Sequence, residues 1–262
     1  MMKVAIHTVF IAKENIPFLE EWIQYHYNVG VDCFMLYDNT GVQDFDPWDS
    51  KHGKLRGMLP NKINKRGIDF SARVKFTNEQ VTERLEQIRT KFPDGVVNYI
   101  PWQERNTQGL IQYFQKEAAL DNYKRIKKMN IDWCVSIDTD EFLTFGKGVT
   151  IQDQNETTIK KYLEKLHSSI TSIKLPEQRH PYRWELIPDE FTIACDCPDV
   201  YTSAIGMKTP QVRRDLPGKS IYKVTDKTPL YRSAHNITNC TGIKQTTVAS
   251  RRWKIYIKHF CL

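Results

Sequence analysis

Four strand-like runs separated by three helical patterns fill the first 143 residues, and that alternation leaves few folds open. Lys3 to Ile11, "KVAIHTVFI", is β-branched and mostly apolar, the mark of a strand buried on both faces. Phe18, Leu19, Trp22, Ile23 and His26 then recur at helical spacing, with Asn15 as the expected N-cap, Pro17 in the first turn and Gly30 as the stop. "VDCFMLY", Val31 to Tyr37, predicts a second strand ending in the turn-forming Asp38-Asn39-Thr40-Gly41. Residues 42 to about 76 are polar and aperiodic, an excursion rather than a linker. A helix over Asn78 to Lys91 leads to "GVVNYI", the third strand. Asn106 or Thr107 is the expected cap of a long helix carrying Leu110, Ile111, Phe114, Ala118 and Ile126, which feeds the strand Trp133 to Ile137. Strands alternating with helices in this way predict an α/β fold with a mostly parallel central sheet.

The fourth strand ends in "DWCVSIDTDEFL", where Asp138, Asp140 and Glu141 crowd three carboxylates into four positions. Unpaired carboxylates cannot be buried without large cost, so a cation or water must meet them. In open α/β sheets, ligands gather beyond the carboxyl ends of the strands. That rule brings Lys13 to Asn15, Asp38 with Asn39, and Asp138 to Glu141 to one crevice. If the chain turns after the strand, Asp138 and Asp140 can converge on one cation, and hard carboxylate oxygens suit magnesium or manganese.

The formal net charge of +7 and its short basic clusters read either as solvated surface or as the mark of a phosphate-bearing partner. No RNA-binding signature, helix-turn-helix pattern or basic low-complexity tail accompanies it, so the expected ligand is a small phosphorylated molecule and not nucleic acid. The six cysteines form no CxxC pair and read as reduced thiols. No apolar run approaches the roughly 18 residues of a membrane span and no leader opens the chain, which predicts a soluble, cytoplasmic protein. Sequons at Asn155, Asn236 and Asn239 would matter only in a secretory lumen, for which this chain would be a trimmed form. After about residue 150 the alternation decays into a helix at Thr157 to Leu166, a strand "SSITSIKL", a basic proline-punctuated region, and strands near Ile221 to Val224 and Trp253 to Phe260.

The stretch "AKENIPFLEEWIQYHYNVGVDCFMLYDNTG" resembles the opening of family 92-like glycosyltransferases, where a Lys-Asn-Glu element, a "LxEWxxYHxxxGV" helix and a "YDN" turn follow one another. Here the first element reads Lys13-Glu14-Asn15. The Asp138-Thr-Asp140-Glu-Phe-Leu143 run resembles the family's acidic motif, and "NTQGLIQYFQKEAALDNY" its preceding helix, so the resemblance spans residues 3 to 145 in order. It implies a GT-A type fold in one domain, with a Rossmann-like nucleotide-sugar half over 1–145 and an acceptor half over 146–262.

What the resemblance implies for single residues follows from the matched positions. Asp38 would meet the base or ribose, with Lys13 and Asn15 beside the nucleotide; Asp138 would face ribose and metal, and Asp140 would ligate the metal. Glu141 would anchor the turn. His259 in "IYIKHF" and His235 in "YRSAHNI" resemble the histidines that add a metal ligand, and Lys219 in "GKSIYKV" one that neutralises the leaving diphosphate. Glu177 and, behind it, Asp215 are the candidate bases. The expectation is transfer of a sugar from a UDP-sugar, with Mn2+ or Mg2+, to a glycan acceptor by inversion. The rivals are a sugar-nucleotide nucleotidyltransferase, which should show a Gly-rich loop that "FIAKENIPF" lacks, and a basic nucleic-acid-binding module, which would leave Asp138 and Asp140 without a task.

Overall fold

The computed structural model describes residues 1–40, 76–107, 109, 111, 113–145, 155, 157–166, 168–175, 177–180, 219–233, 236–238 and 255–260. In chain order the elements are β1 (Val4–Phe10), α1 (Ala12–Asn28), β2 (Cys33–Asp38), α2 (Asn78–Thr90), β3 (Val97–Pro101), α3 (Gln115–Lys128), β4 (Trp133–Ser136) and β5 (Glu141–Phe145). They continue with α4 (Thr158–Glu164), β6 (Ser172–Lys174), β7 (Glu177–His180), β8 (Ser220–Lys223), β9 (Leu230–Ser233), β10 (Asn236–Thr238) and β11 (Ile255–Phe260).

The architecture is α/β, built on a six-stranded sheet of order β3-β2-β1-β4-β8-β6. β1 pairs in parallel with β2 and with β4, and β3 extends the parallel run beyond β2. β8 runs against both β4 and β6, so it alone opposes the common strand direction. Strand order reverses between β1 and β4, and Ala5 sits in register between Cys33 and Cys134 there. Such a switch point opens a crevice at the strands' carboxyl ends because the connecting chains leave to opposite sides.

Side-chain alternation explains why both faces of this sheet are covered. Val4, Ile6 and Phe10 join Ile16, Leu19, Trp22 and Ile23 of α1 in one core, while Ala5, Cys33, Met35 and Cys134 meet Ala118, Ala119 and Ile126 of α3 in the other. Cys33 and Cys134 are buried free thiols; the remaining four cysteines lie outside the described residues. Helix α1 ends in a Schellman motif. Gly30 has φ 103°, its N–H donates to Tyr27 O, and the Val31 N–H donates to His26 O. Among the described residues no helix is long and apolar enough to cross a membrane.

Three expectations need correction. Helix α1 starts at Ala12, so Asn15 is not its cap and Pro17 lies inside it. Its first N–H is capped from another strand, by Asp38 Oδ1 at 2.9 Å from Ala12 N. Helix α3 starts at Gln115 and not near Asn106, because Gly109 at φ 78° and Phe114 at φ 39° bend the chain while Arg105 bridges Ile111. Ile111 and Phe114 share the helical spacing without sharing the helix, and Leu110 lies outside the described residues. A second sheet of order β5-β11-β7 and the β9-β10 hairpin follow no sequence expectation, although the strands at Ser220–Lys223 and Ile255–Phe260 do. The excursion expected over residues 42–76 falls almost wholly outside the described residues.

Candidate functional site

The acidic run leaves β4 at the switch point and turns back within one residue pair. Glu141 N donates to Asp138 O at 3.1 Å, and Asp138 N donates to the Glu141 carboxylate at 2.7 Å, so the two acids close the turn on each other. Lys219, just before β8, enters this turn with its ammonium 2.5 Å from Asp138 Oδ2 and 3.5 Å from Glu141 Oε2. The lysine side chain is 3% exposed and Glu141 1%, whereas Asp138 is 50% exposed. The ion pair therefore has one face in the protein and one toward solvent. Asp138 Oδ1 is not bonded by any described residue.

The charges in this turn depend on one another. Burial pushes the Glu141 carboxyl up to about 8, with Lys219 pulling against it and Asp138 and Asp140 adding to the rise. Burial alone would lower the Lys219 ammonium, but the summed attraction of Glu141, Asp138 and Asp140 outweighs it and leaves the lysine above its ordinary value. Removing one partner of such a pair strands a charge in a dry place.

The crevice wall opposite is the first turn of α1. Thr139 is buried, and its hydroxyl donates to Asn15 Oδ1 at 2.5 Å while Asn15 Nδ2 donates to Ile11 O at 2.7 Å. Lys13 lies half-buried on the same turn. Asp38, at the end of β2, is 4% exposed. Its Oδ1 accepts from Ala12 N, Thr40 N and the Thr40 hydroxyl at 2.9, 2.9 and 2.6 Å, and its Oδ2 accepts from the Tyr99 hydroxyl. Lys13, Asn15, Asp38, Asp138, Asp140 and Lys219 thus stand at neighbouring strand ends of one sheet.

The other named residues divide by what is described. The backbone of His259 in β11 lies in register opposite Glu141, and Glu177 in β7 is in register with Ile257 of β11, itself opposite Leu143. The second sheet therefore carries both toward the acidic turn's exit strand. His235 and Asp215 lie outside the described residues. Among the described residues no group of three or more His, Cys, Asp or Glu side chains converges as a metal site.

Sequence reasoning missed two features. His7 sits in β1 between Met35 and Ser136, 4% exposed, its ring edge-on to Tyr37 at 5.1 Å, with neither ring nitrogen bonded by a described residue. Burial lowers its pKa to about 4, and so its ring is neutral at pH 7. Trp22, Tyr25 and His26 show helical spacing in the sequence, yet their polar atoms all reach β5 or its helix neighbour.

No protein-family model matches the chain, and no curated protein matches it. A crystal structure of a mycobacterial protein aligns over 99% of this chain at 10% identity with a TM-score of 0.35, and the chain spans 65% of that protein's length.

Two expected outcomes follow from these environments. Replacing Asp38 strips its partners of a buried acceptor, so Asp38→Ala lowers unfolding free energy by roughly 1–3 kcal/mol in urea titration, whatever ligand is present. The second concerns acid. Folded His26 titrates near about 3 and His7 near about 4, against an ordinary 6.5, so between these values the unfolded chain binds more protons than the folded one. Their contribution to stability is complete above 6.5 and is lost as pH falls below it. Each histidine adds about 1.4 kcal/mol per pH unit to that slope. Unfolding free energies measured from pH 6 to pH 4.5 should show His26→Gln with a slope shallower by one such increment; an unaltered slope would mean that His26 is charged in the fold.

Proposed function

We propose that this chain is a metal-dependent glycosyltransferase of the GT-A type, moving a sugar from a nucleotide sugar, UDP-linked, to a glycan acceptor with inversion. One observation carries the reading. A carboxylate turn with two partly exposed acids lies at the switch point of an open α/β sheet, braced from within by a buried lysine. A turn of purely structural purpose gains little from three acids at a ligand-gathering place.

The donor set fits a hard divalent cation. Asp138 keeps one carboxylate oxygen without a bonding partner among the described residues, and Asp140 is partly exposed beside it. Glu141 is spent inside the turn on Asp138 N and Lys219. Asp138 and Asp140 would hold Mn2+ or Mg2+, with His259 or His235 as a further ligand. The ion, when bound, supplies positive charge to the donor's diphosphate.

The protein's own groups do the remaining work. Lys219 holds Asp138 in place, and its positive charge would oppose the negative charge that develops on the leaving diphosphate. Lys13, Asn15 and Asp38 border the nucleotide, Asp38 through the α1 terminus and the Tyr99 hydroxyl it organises. In the transfer, the acceptor oxygen bonds to the anomeric carbon as the bond from that carbon to the phosphate oxygen breaks. The acceptor's proton passes to a carboxylate, Glu177 or Asp215, and UDP departs.

Titration calorimetry tests this with UDP and Mn2+. UDP should bind in the presence of Mn2+ and lose most of its affinity when the metal is chelated. Asp140→Asn, first shown to be folded by its thermal unfolding curve, should weaken that binding by about tenfold or more, the loss of ~1.4 kcal/mol of ligation. Equal affinity in the variant would remove the metal seat, and with it the proposed chemistry.

A further inference from the structure

The stretch Glu21-Trp-Ile-Gln-Tyr-His26 and the segment Glu141–Leu143, where the acidic turn passes into β5, are more than 110 positions apart, yet three hydrogen bonds join them. Trp22 Nε1 donates to Glu141 O at 2.8 Å, and the Tyr25 hydroxyl donates to Leu143 O at 2.5 Å. The third bond runs the other way, from Leu143 N–H to His26 Nε2 at 3.3 Å. His26 Nδ1 is 2.8 Å from Trp22 O. A carbonyl only accepts, so Nδ1 carries the proton and Nε2 is left as the acceptor that Leu143 requires. Both ring nitrogens are thereby assigned, and the ring is neutral. Phe142, between the two bonded carbonyls, stacks on His26 at 5.7 Å and meets Tyr25 edge-on at 5.2 Å.

Packing alone does not ask for this arrangement. Trp22, Ile23 and Leu19 already bury the helix against the sheet. What the polar atoms of Trp22, Tyr25 and His26 add is direction. They grip alternate backbone positions of β5, the strand through which the acidic turn leaves, so the chain direction after Asp140 is set by α1. Since β11 pairs with the same strand, the grip also fixes the register that puts His259 opposite Glu141.

We propose that Trp22, Tyr25 and His26 form a positioning clamp on the acidic turn, through which α1 sets the ligand affinity of Asp138 and Asp140 without touching the ligand. The ligand half of this statement rests on the function proposed above; the clamp itself does not. Tyr25→Phe removes one bond and keeps the ring. His26→Phe removes the acceptor for Leu143 N–H and keeps an aromatic against Phe142, while His26→Gln returns an acceptor near the Nε2 position.

The test pairs amide-resolved hydrogen exchange with Mn2+–UDP calorimetry on the full chain, each variant first shown to be folded at the assay temperature by its thermal unfolding curve. Expected are faster exchange confined to residues 138–145 in Tyr25→Phe and His26→Phe, and about tenfold weaker Mn2+–UDP binding in both. His26→Gln should recover exchange and affinity together, which a loss of general stability would not produce. Unchanged exchange in this segment, or faster exchange with unchanged affinity, overturns the proposal. If the parent protein binds no Mn2+–UDP, the functional reading falls and exchange alone decides the clamp: confined acceleration upholds it, and none ends it. Should His26→Phe not fold, Tyr25→Phe carries the same test.

Discussion

Glu141 is a carboxylate almost wholly removed from water, and the geometry of the site depends on how that burial is compensated. Left alone it would cost several kcal/mol or take up a proton. Two groups meet it. Asp138 N donates to its oxygen, which fixes the turn, and the Lys219 ammonium stands 3.5 Å away, which balances the charge. Lys219 is itself buried, and it reaches the turn because β8 runs antiparallel beside β4, with Ser220 in register with Ser136. The single reversed strand of the main sheet thus delivers the cation that the acidic turn requires.

The same economy appears on the other side of the crevice. The first turn of α1 has no side-chain cap of its own, and an uncapped buried N-terminus would leave N–H groups unsatisfied. Asp38 supplies an acceptor from the end of β2, and its negative charge lies at the positive end of the helix dipole. Asn15, freed from capping, points instead to Thr139 in the acidic turn. Strand β2, helix α1 and the turn after β4 are therefore linked through polar atoms as well as through the core beneath them.

The sequence made β1, β2 and β4 legible because burial on both faces writes itself as continuous apolar runs, as in "KVAIHTVFI" and "DCFMLY". Helix starts were less legible. The signal for α1 lay in Asp38, 26 positions away, where a local cap rule cannot find it, and the start of α3 was masked by apolar residues in a bent loop. The strand β5 was hidden because it begins inside the acidic motif and its partner β11 lies more than 110 residues later. At the site, residue types announced Asp138, Asp140 and Lys219 as candidates, but not the pairing between them, since contact between positions 81 apart has no local signature. Trp22, Tyr25 and His26 could be placed on a buried helical face by spacing. Spacing gives the direction of a side chain and says nothing of the backbone atom that it meets.

The arrangement of Lys219 bears on what this seat can accept. Three carboxylates and one ammonium, all ionised, sum to −2, and burial raises the Glu141 pKa, which opposes accumulation of that charge. Lys219 is tethered to Asp138 Oδ2 while Oδ1 has no bonding partner among the described residues, so an arriving cation need not displace the lysine to gain an oxygen. Ammonium and divalent ion can share one carboxylate, each on its own oxygen. An anionic ligand that follows would then meet positive charge from both. An anion alone would face Asp138 and Asp140 with nothing between. On the function proposed above, a divalent cation and an anionic ligand would arrive at this turn as one unit, which is how a nucleoside diphosphate presents itself in the presence of Mn2+ or Mg2+.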